Sequence, residues 1–526
     1  MTKRIVLTKQ NNAYFMTLVA LLGVRGIMEK KLEVLMELRP CLHGFSGIPQ
    51  ETRLLFSYFL NMPHVNSTGL INSDVPNFSS LRLASPLAPK KDHQKINELS
   101  RLIISAVEPS RFTLLEKVKL ALRQIGLSFE TLLGLSLPMR PFETKGFEDF
   151  LWDRFFSKTL DITEFKTVTN ALFQMLLFSR TTLRLAKLAH QFPKIATERY
   201  DAFVVQTPFP GRVSNNTQLI VRYHDAIPLF IPHLINQPKS HQSLHYKALC
   251  SNAKKGIFVC TSHAVKQDLL QVFPGLEART PVIYDTISPA YYEETTSNAH
   301  LAQIIRHHSY ESRRTIATTE DQDDTYYQTH LDPNHLQYIM MVSTIEPRKN
   351  HIRLIQAWER VCKKLNRDIK LLFVGDLGWQ YQSIMAAMKP WQQRGQLFHL
   401  QKVPVESMRL LYQGAACIVC PSIKEGFDLS GIEGMACGGV IVASDISVHR
   451  EVYGEAARYF DPYCVLQQAE AIESVLTPGN SLRHQLKATG LKQVTHYQPS
   501  AIKPQWADFF ENILREKHKK KQALPA

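Results

Sequence analysis

The sequence predicts an α/β protein made of two doubly wound parallel-sheet domains that face each other across a cleft. Three observations carry this. Short apolar runs alternate with amphipathic helical patterns over residues 338–470, as expected of parallel strands buried on both faces by crossover helices. A sparser set of similar runs, at 32–39, 201–206, 218–225, 256–262 and 281–285, supplies a second sheet. A length of 526 residues with 44% hydrophobic content gives room for two ordinary domains and an insertion. The expected division is 1–330 for the N-terminal domain, with a helical insertion at about 80–195, and 331–498 for the C-terminal domain. A helical pattern at about 499–516, marked by Trp506, Phe509, Phe510 and Ile513, follows.

The strand at 32–39 is succeeded by Gly44 and Gly47, then by a helical pattern through Leu54, Leu55, Tyr58 and Phe59. Glycines at that point suit a loop whose backbone approaches a ligand closely. Residues 80–195 hold helical patterns such as 114–122 and the aromatics Phe147, Phe150, Trp152, Phe155 and Phe156; this is the insertion, and packing is its default role. The run 218–225 ends in His224-Asp225-Ala226-Ile227-Pro228. Residues 293–337 are polar, with His307-His308 and an acidic cluster at 320–324, and read as an interdomain linker with room for a helix, rather than a metal site.

In the second half, the strand at 338–343 leads into Thr344-Ile345-Glu346-Pro347-Arg348-Lys349-Asn350 and a helix. The strand at 369–376 ends in a turn at Gly375, and Val403-Pro404 precedes a helix through Leu410, Leu411 and Tyr412. The strand at 415–420 opens into a loop containing Glu425, Gly426, Phe427, Asp428 and Leu429. Ser430 is the expected N-cap of a helix opening at 432–437. Such a loop, leaving the carboxyl end of a parallel strand and entering a helix N-terminus, is where α/β sheets bind ligands. The free N–H groups there favour a phosphate. Glu433, in the first helical turn, is placed to accept hydrogen bonds from ribose hydroxyls, and Glu425 faces whatever the phosphate carries.

The spacing of Glu425 and Glu433 resembles the E-x7-E motif of retaining GT-B glycosyltransferases, specifically glycosyltransferase family 4. The resemblance continues through 435–445, resumes at 451–457 and ends at 460–462. Residues 343–350 are similar to the family's G-T-x-E-P-R-K-N, and 224–228 to its H-D-x-x-P. Three positions depart from the pattern: Asp428 and Ser343 stand where the family has Gly, and Ser430 where it has Pro.

The resemblance implies two Rossmann-like domains facing a cleft, a helix at about 499–516 that crosses back to the first domain, and a nucleoside-diphosphate sugar as donor. Arg348 and Lys349 would lie on the diphosphate, where fixed cations stabilise the charge of the departing phosphate. Glu433 would hold the ribose. Residues Gly426, Phe427, Asp428, Leu429 and Ser430 would line the donor, with Gly375 and Val403 at the base. Gly44 and Gly47 would face donor and acceptor from the opposite domain. Glu425, His224, Arg348 and Lys349 form the expected catalytic set, transferring the sugar with retention to a saccharide or lipid-linked acceptor. No metal or other cofactor is called for, since the basic pair takes that role. Within the fold, a phosphorylase or a nucleotide-sugar epimerase is the alternative. A catalytically silent binding protein is another. A dehydrogenase lacks its G-x-G-x-x-G.

Charge sharpens the picture of partners. Residues 1–300 carry 35 Lys and Arg against 24 Asp and Glu, and the remainder 27 against 23. A basic N-terminal domain favours a lipid-phosphate acceptor or an anionic membrane face. No nucleic-acid motif accompanies the charge. No run reaches the length of a membrane span, and the apolar stretch at 14–28 is interrupted by Arg25. The expectation is a cytoplasmic chain with peripheral contact at the inner membrane. Eight cysteines in a chain this long make no disulfide framework, and Cys417-x-x-Cys420 lacks the second half of a zinc site.

Overall fold

The computed structural model describes residues 31–42, 44, 47–73, 136–142, 144–177, 192–313, 320–477, 479 and 481–522. Six strands of the N-terminal sheet are parallel: β1 (Leu32–Glu37), β2 (Val65–Ser73), β4 (Leu172–Leu177), β5 (Ala202–Val205), β6 (Gln218–Tyr223) and β7 (Ile257–Cys260). An antiparallel edge strand, β3 (Arg140–Phe142), pairs with β4, giving the order β3-β4-β2-β1-β5-β6-β7. The C-terminal sheet is wholly parallel, in the order β10-β9-β8-β11-β12-β13. Its strands are β8 (Tyr338–Val342), β9 (Lys370–Val374), β10 (Leu397–Leu400), β11 (Cys417–Cys420), β12 (Ile441–Ser444) and β13 (Ala457–Phe460). The strand order reverses direction between β8 and β11, and a crevice opens at such a switch point beyond the carboxyl ends of the strands.

Why these segments are strands is plain from burial. Every residue of β9, β10, β11 and β12 is buried, because helices cover both faces. One face packs Met340, Leu372, Ile418 and Ile441 with Tyr412 and Tyr453, and the other packs Ile339, Leu371, Val419 and Val442 with Trp358 and Ile472. Helix α1 (Ile48–Leu60) follows β1, and α2 (His263–Val272) follows β7. The last helix (Pro499–Gln522) buries Ile502, Trp506 and Phe510 in the N-terminal core, where the Phe59 ring lies 5.2 Å from Trp506 and 4.9 Å from Phe510.

Two expectations need correction. Residues 140–177 are not a helical insertion: they supply β3 and β4 to the central sheet, with short helical turns between. A six-residue apolar run such as 172–177 has no periodicity that separates strand from helix. Phe147, Phe155 and Phe156 are buried in the same core as Trp506; the pattern at 114–122 lies outside the described residues. Residues 298–330 hold more helix than the single one that the linker reading allowed. They contain α3 (Asn298–Arg313) and α4 (Glu320–His330). Leu301, Ile304, Ile305 and Tyr327 are buried against Phe398 and Leu400 of β10, so this stretch packs with the C-terminal sheet. His307 and His308 lie on α3 with their rings edge to face.

Candidate functional site

The loops after β8 and β11 meet at the switch point. After Val342 the chain makes a tight turn at Pro347–Lys349 and enters α5 (His351–Leu365) through Asn350 in a left-handed conformation, φ 68°. Asn350 Nδ2 donates to the carbonyls of Pro421 (3.0 Å) and Pro462 (2.7 Å), and Ile423 N donates to Arg348 O (3.0 Å). These bonds fix the two loops to each other. Arg348 and Lys349 then converge on one carboxylate: Lys349 Nζ lies 2.6 Å from Glu425 Oε1, and Arg348 Nη1 lies 2.7 Å from Glu425 Oε2. Arg348 also forks onto Glu346 Oε1, at 3.1 and 2.7 Å.

All four side chains are at most 13% exposed, so their charges act through little water. Burial opposes ionisation of Glu425, yet Arg348 and Lys349 hold its carboxyl below the ordinary value. Burial likewise works against Arg348, and Glu425 and Glu346 nonetheless raise its pKa. Burial pushes Glu346 upward, partly offset by Arg348 and Lys349. The loops thus present a compact group of two cations and two carboxylates.

The loop from β11 then enters α7, which follows α6 (Val405–Gly414) and spans Leu429–Ala436. Its N-cap is Asp428 at φ 69°, not Ser430. Ser430 is already the second helical residue, and its Oγ donates to Asp428 Oδ1 at 2.6 Å. The helix therefore opens three residues earlier than expected. Phe427 and Leu429 are buried in the core, with the Phe427 ring 5.3 Å from Tyr497 and 6.1 Å from Tyr284; only their backbone groups can meet a donor. Glu433 is 2% exposed. It accepts from Tyr412 Oη at 2.9 Å and from Gln50 Nε2, on the opposite domain, at 3.0 Å. Burial raises its pKa to about 7, against the hydrogen bonds from Gln50 and Tyr412.

Gly375 and Val403 follow β9 and β10. Gly375, at φ 149°, sits so close to Ser343 O that a Cβ would lie 2.1 Å from it; Val403 is buried in the core cluster around Leu400 and Met408. The Ser343 hydroxyl, at a position where the family pattern has Gly, is tied to His351 Nε2 at 3.2 Å.

The N-terminal domain meets this face directly. A Cβ on Gly426 would lie 1.8 Å from His224 O, so the loop carrying Glu425 rests on the backbone after β6. Thr261 and Ser262 donate to Gly426 O at 3.3 and 2.9 Å. Helix α8 (Ser447–Tyr453) contributes Glu451, whose carboxylate accepts from the His263 and Ala264 amides at 2.6 and 2.8 Å, capping the positive end of α2. Lys424 pairs with Asp268 at 2.6 Å. The two domains are closed on one another.

The imidazole of His224 turns into its own domain, 3.2 Å from Gln206 Oε1 and 3.5 Å from Glu51 Oε2. Burial lowers its pKa to about 4, the effect reduced by Glu51, so it is neutral at pH 7. Glu51, His224 and Asp285 bring their ligating atoms within 4.8 Å of one another. That space is filled by Arg222, whose guanidinium pairs with Glu51 and, at 2.6 Å, with Asp285; the set is a buried ion network rather than a metal centre. Gly44 and Gly47 both have positive φ. The Gly44 carbonyl accepts from buried Arg53 at 2.9 Å, and Gly47 precedes α1 with open space where a Cβ would be. Sequence reasoning passed over Gln50, Glu346, Tyr412, Ser262 and His449. Of these, Glu346 and Ser262 had a signal, as neighbours of motif residues already singled out.

Comparisons with known proteins bear on the fold and the family rather than on these side chains. Residues 323–493 match the family described as glycosyl transferases group 1. The O-antigen chain mannosyltransferase B of Escherichia coli is 31% identical over 161 residues, 30% of this chain and 42% of that one. The serotype-specific mannosyltransferase WbdA of Escherichia coli is 32% identical over 138 residues, 26% of this chain and 17% of that one. The chain thus matches less than half the length of these relatives. Among solved structures, sucrose-phosphate synthase from Thermosynechococcus elongatus superposes with a TM-score of 0.55 at 12% identity, covering 93% of this chain and all of that one. Anabaena Alr3699/HepE in complex with UDP-glucose superposes with a TM-score of 0.50 at 12% identity, covering 91% and 100%. These likenesses establish the two-domain GT-B fold.

Proposed function

We propose that the protein is a glycosyltransferase that moves a hexose from a nucleoside-diphosphate sugar to a saccharide or lipid-linked acceptor, with retention of configuration. The match of residues 323–493 to group 1 glycosyltransferases supports the reaction class, and the names of the relatives favour mannose as the sugar. The observation that carries the reading is the convergence of Arg348 and Lys349 on Glu425 at the switch point of the C-terminal sheet.

In this reading the donor diphosphate enters against Arg348, Lys349 and the first-turn amides of α7. Cleavage of the sugar–phosphate bond leaves negative charge on the β-phosphate oxygens, and preoriented cations stabilise it without reorganising. Glu425 is released from the basic pair and faces the cationic anomeric centre and the sugar hydroxyls. Glu433 takes the ribose in place of Gln50. The acceptor attacks from the same face that the phosphate leaves, and the departing phosphate oxygen takes its proton, so no protein nucleophile is required. Neutral His224 would have to turn out of its place beside Gln206 and Glu51 to meet the sugar from the other domain, and closure excludes water. Arg348 and Lys349 supply the charge compensation for which other transferases recruit a divalent ion, so the reaction is proposed to run without metal. The basic N-terminal domain suits an anionic acceptor or a membrane face. No helix of the described residues is long and apolar enough to cross a membrane.

The test is a thermal-shift screen of nucleotide sugars. One or more should raise the melting temperature by mass action, and Arg348→Ala should abolish the shift. Failure of every nucleotide sugar to bind at millimolar concentration would refute the reading.

A further inference from the structure

Asp428 is an odd residue for its place. It sits at the mouth of α7, where an anion is to bind, and it carries an anion of its own. An N-cap aspartate ordinarily turns its carboxylate onto the second or third amide of its helix, which would occupy those amides and repel a phosphate. Here it does not: the Asp428 side chain makes no capping bond to α7. The carboxylate is held by side chains instead, with Oδ2 3.1 Å from His449 Nε2 and Oδ1 accepting from the hydroxyl of Ser430, the second residue of α7.

His449 is built to hold it there. The side chain is fully buried. Nδ1 lies 3.0 Å from both Ser444 Oγ and Ser444 O, and the ring stacks on Tyr453 at 4.9 Å with an 18° interplanar angle. Tyr453 in turn donates from Oη to the Asp428 carbonyl at 2.9 Å. Helix α8 therefore grips both the backbone and the carboxylate of Asp428, and the left-handed backbone that Asp tolerates better than most residues is secured from behind.

We propose that His449 is a positioning residue for the donor diphosphate: by holding the Asp428 carboxylate, together with the Ser430 hydroxyl, off the backbone amides of α7, it keeps those first-turn amides open to phosphate oxygens. The proposal deepens the donor-site reading above and rests on it. Free of His449, the carboxylate would fall onto those amides and compete with the donor.

The test is a double-mutant cycle on the full chain, with affinities for GDP and UDP from calorimetry and steady-state kinetics with the corresponding donor. His449→Ala should weaken the nucleotide by about tenfold or more, raising KM with little change in kcat. In the Asp428→Gly background the same replacement should have little effect, since no carboxylate remains to be restrained. Should His449→Ala fold poorly, His449→Gln, which keeps a donor toward Asp428, should retain most of the affinity. A folded His449→Ala that binds like wild type overturns the proposal, as do strictly additive effects in the cycle. Loss of affinity with His449→Gln as great as with His449→Ala does the same. Failure of wild type to bind either nucleotide overturns the donor-site reading together with this one; binding without coupling overturns this one alone.

Discussion

Replacing Glu425 by Gln should tighten nucleotide binding while destroying transfer. In the closed protein the two cations at 348 and 349 are balanced by Glu425 and Glu346. A donor diphosphate must draw the cations away from Glu425 before it can use them. The isosteric amide keeps the volume and removes the charge. Breaking a buried pair by removing one partner costs about 3–5 kcal/mol, and with 8–13% of these side chains exposed the lower end, about 3 kcal/mol, is the better figure. At about 2–4 °C per kcal/mol for a domain of this size, the free protein should melt roughly 6–12 °C lower. A nucleoside diphosphate then supplies the missing anion, and recovering half or more of the loss corresponds to an affinity gain of about 10- to 100-fold (about 1.4–2.8 kcal/mol). The transferred sugar, in contrast, loses the carboxylate that faces its cationic centre, and kcat should fall by at least about 100-fold. Calorimetry with GDP and UDP, melting curves with and without them, and turnover under saturating donor read the three quantities separately. Weaker nucleotide binding by Glu425→Gln would refute the charge argument, and turnover within a few-fold of wild type would remove Glu425 from the chemistry.

Three further outcomes rest on the same geometry. Gly426→Ala places a methyl within 1.8 Å of the His224 carbonyl, so the domains cannot close; kcat should drop by about 100-fold or more with the fold intact, and small-angle scattering should show a more open molecule. The pH dependence of stability has two opposing parts. Glu433 has a raised pKa, about 7 against 4.5, so its contribution is full below about 4.5 and is lost as pH rises through 7, about 3 kcal/mol in all. Buried His224, with its pKa lowered to about 4 from 6.5, contributes fully above 6.5 and loses that contribution as pH falls toward 4; His245 and His351, lowered to about 4 and about 3 by burial, act in the same direction. Glu433→Gln should therefore steepen the acid loss between pH 5 and 6.5 by about one proton per molecule in urea titrations, and an unchanged slope would contradict the burial of that carboxylate. Finally, EDTA should leave turnover largely intact, whereas complete loss restored by manganese would contradict a metal-free reaction.

How much of this site the sequence discloses depends on how local the physics is. The loops after β8 and β11 were legible because parallel strands buried on both faces read as unbroken apolar runs, and the loop after such a run lies at the ligand-binding edge of the sheet. The residues Arg348, Lys349, Glu425 and Glu433 stand there in series. The edge strand β3 and its neighbour β4 were not legible, since runs of three and six residues say nothing of their partners. A helix could be read in the polar segment that holds α3, but its packing on the C-terminal sheet could not: the buried stripe of Leu301, Ile304 and Ile305 is diluted by the polar residues of its exposed face. The start of α7 was misplaced because an N-cap ordinarily has an extended backbone, whereas a left-handed Asp428 held from α8 opens the helix earlier.

The harder losses are contacts across the cleft. Gln50 reaches Glu433 over a separation of 383 residues, and no pattern around either residue announces the other. Gly426 could be read as a glycine in a ligand loop, but the structure gives a different cause for it: the backbone of His224 leaves no room for a side chain. The motif residues therefore serve two ends. They line the proposed donor site on one domain, and they also bind the opposite domain, through Glu433 to Gln50 and Gly426 to Ser262. A donor that claims Glu433 must displace Gln50. The free energy of closure is thus set partly by the same carboxylate that is proposed to read the ribose, and substitutions at Gln50 should alter donor affinity without touching the C-terminal domain at all.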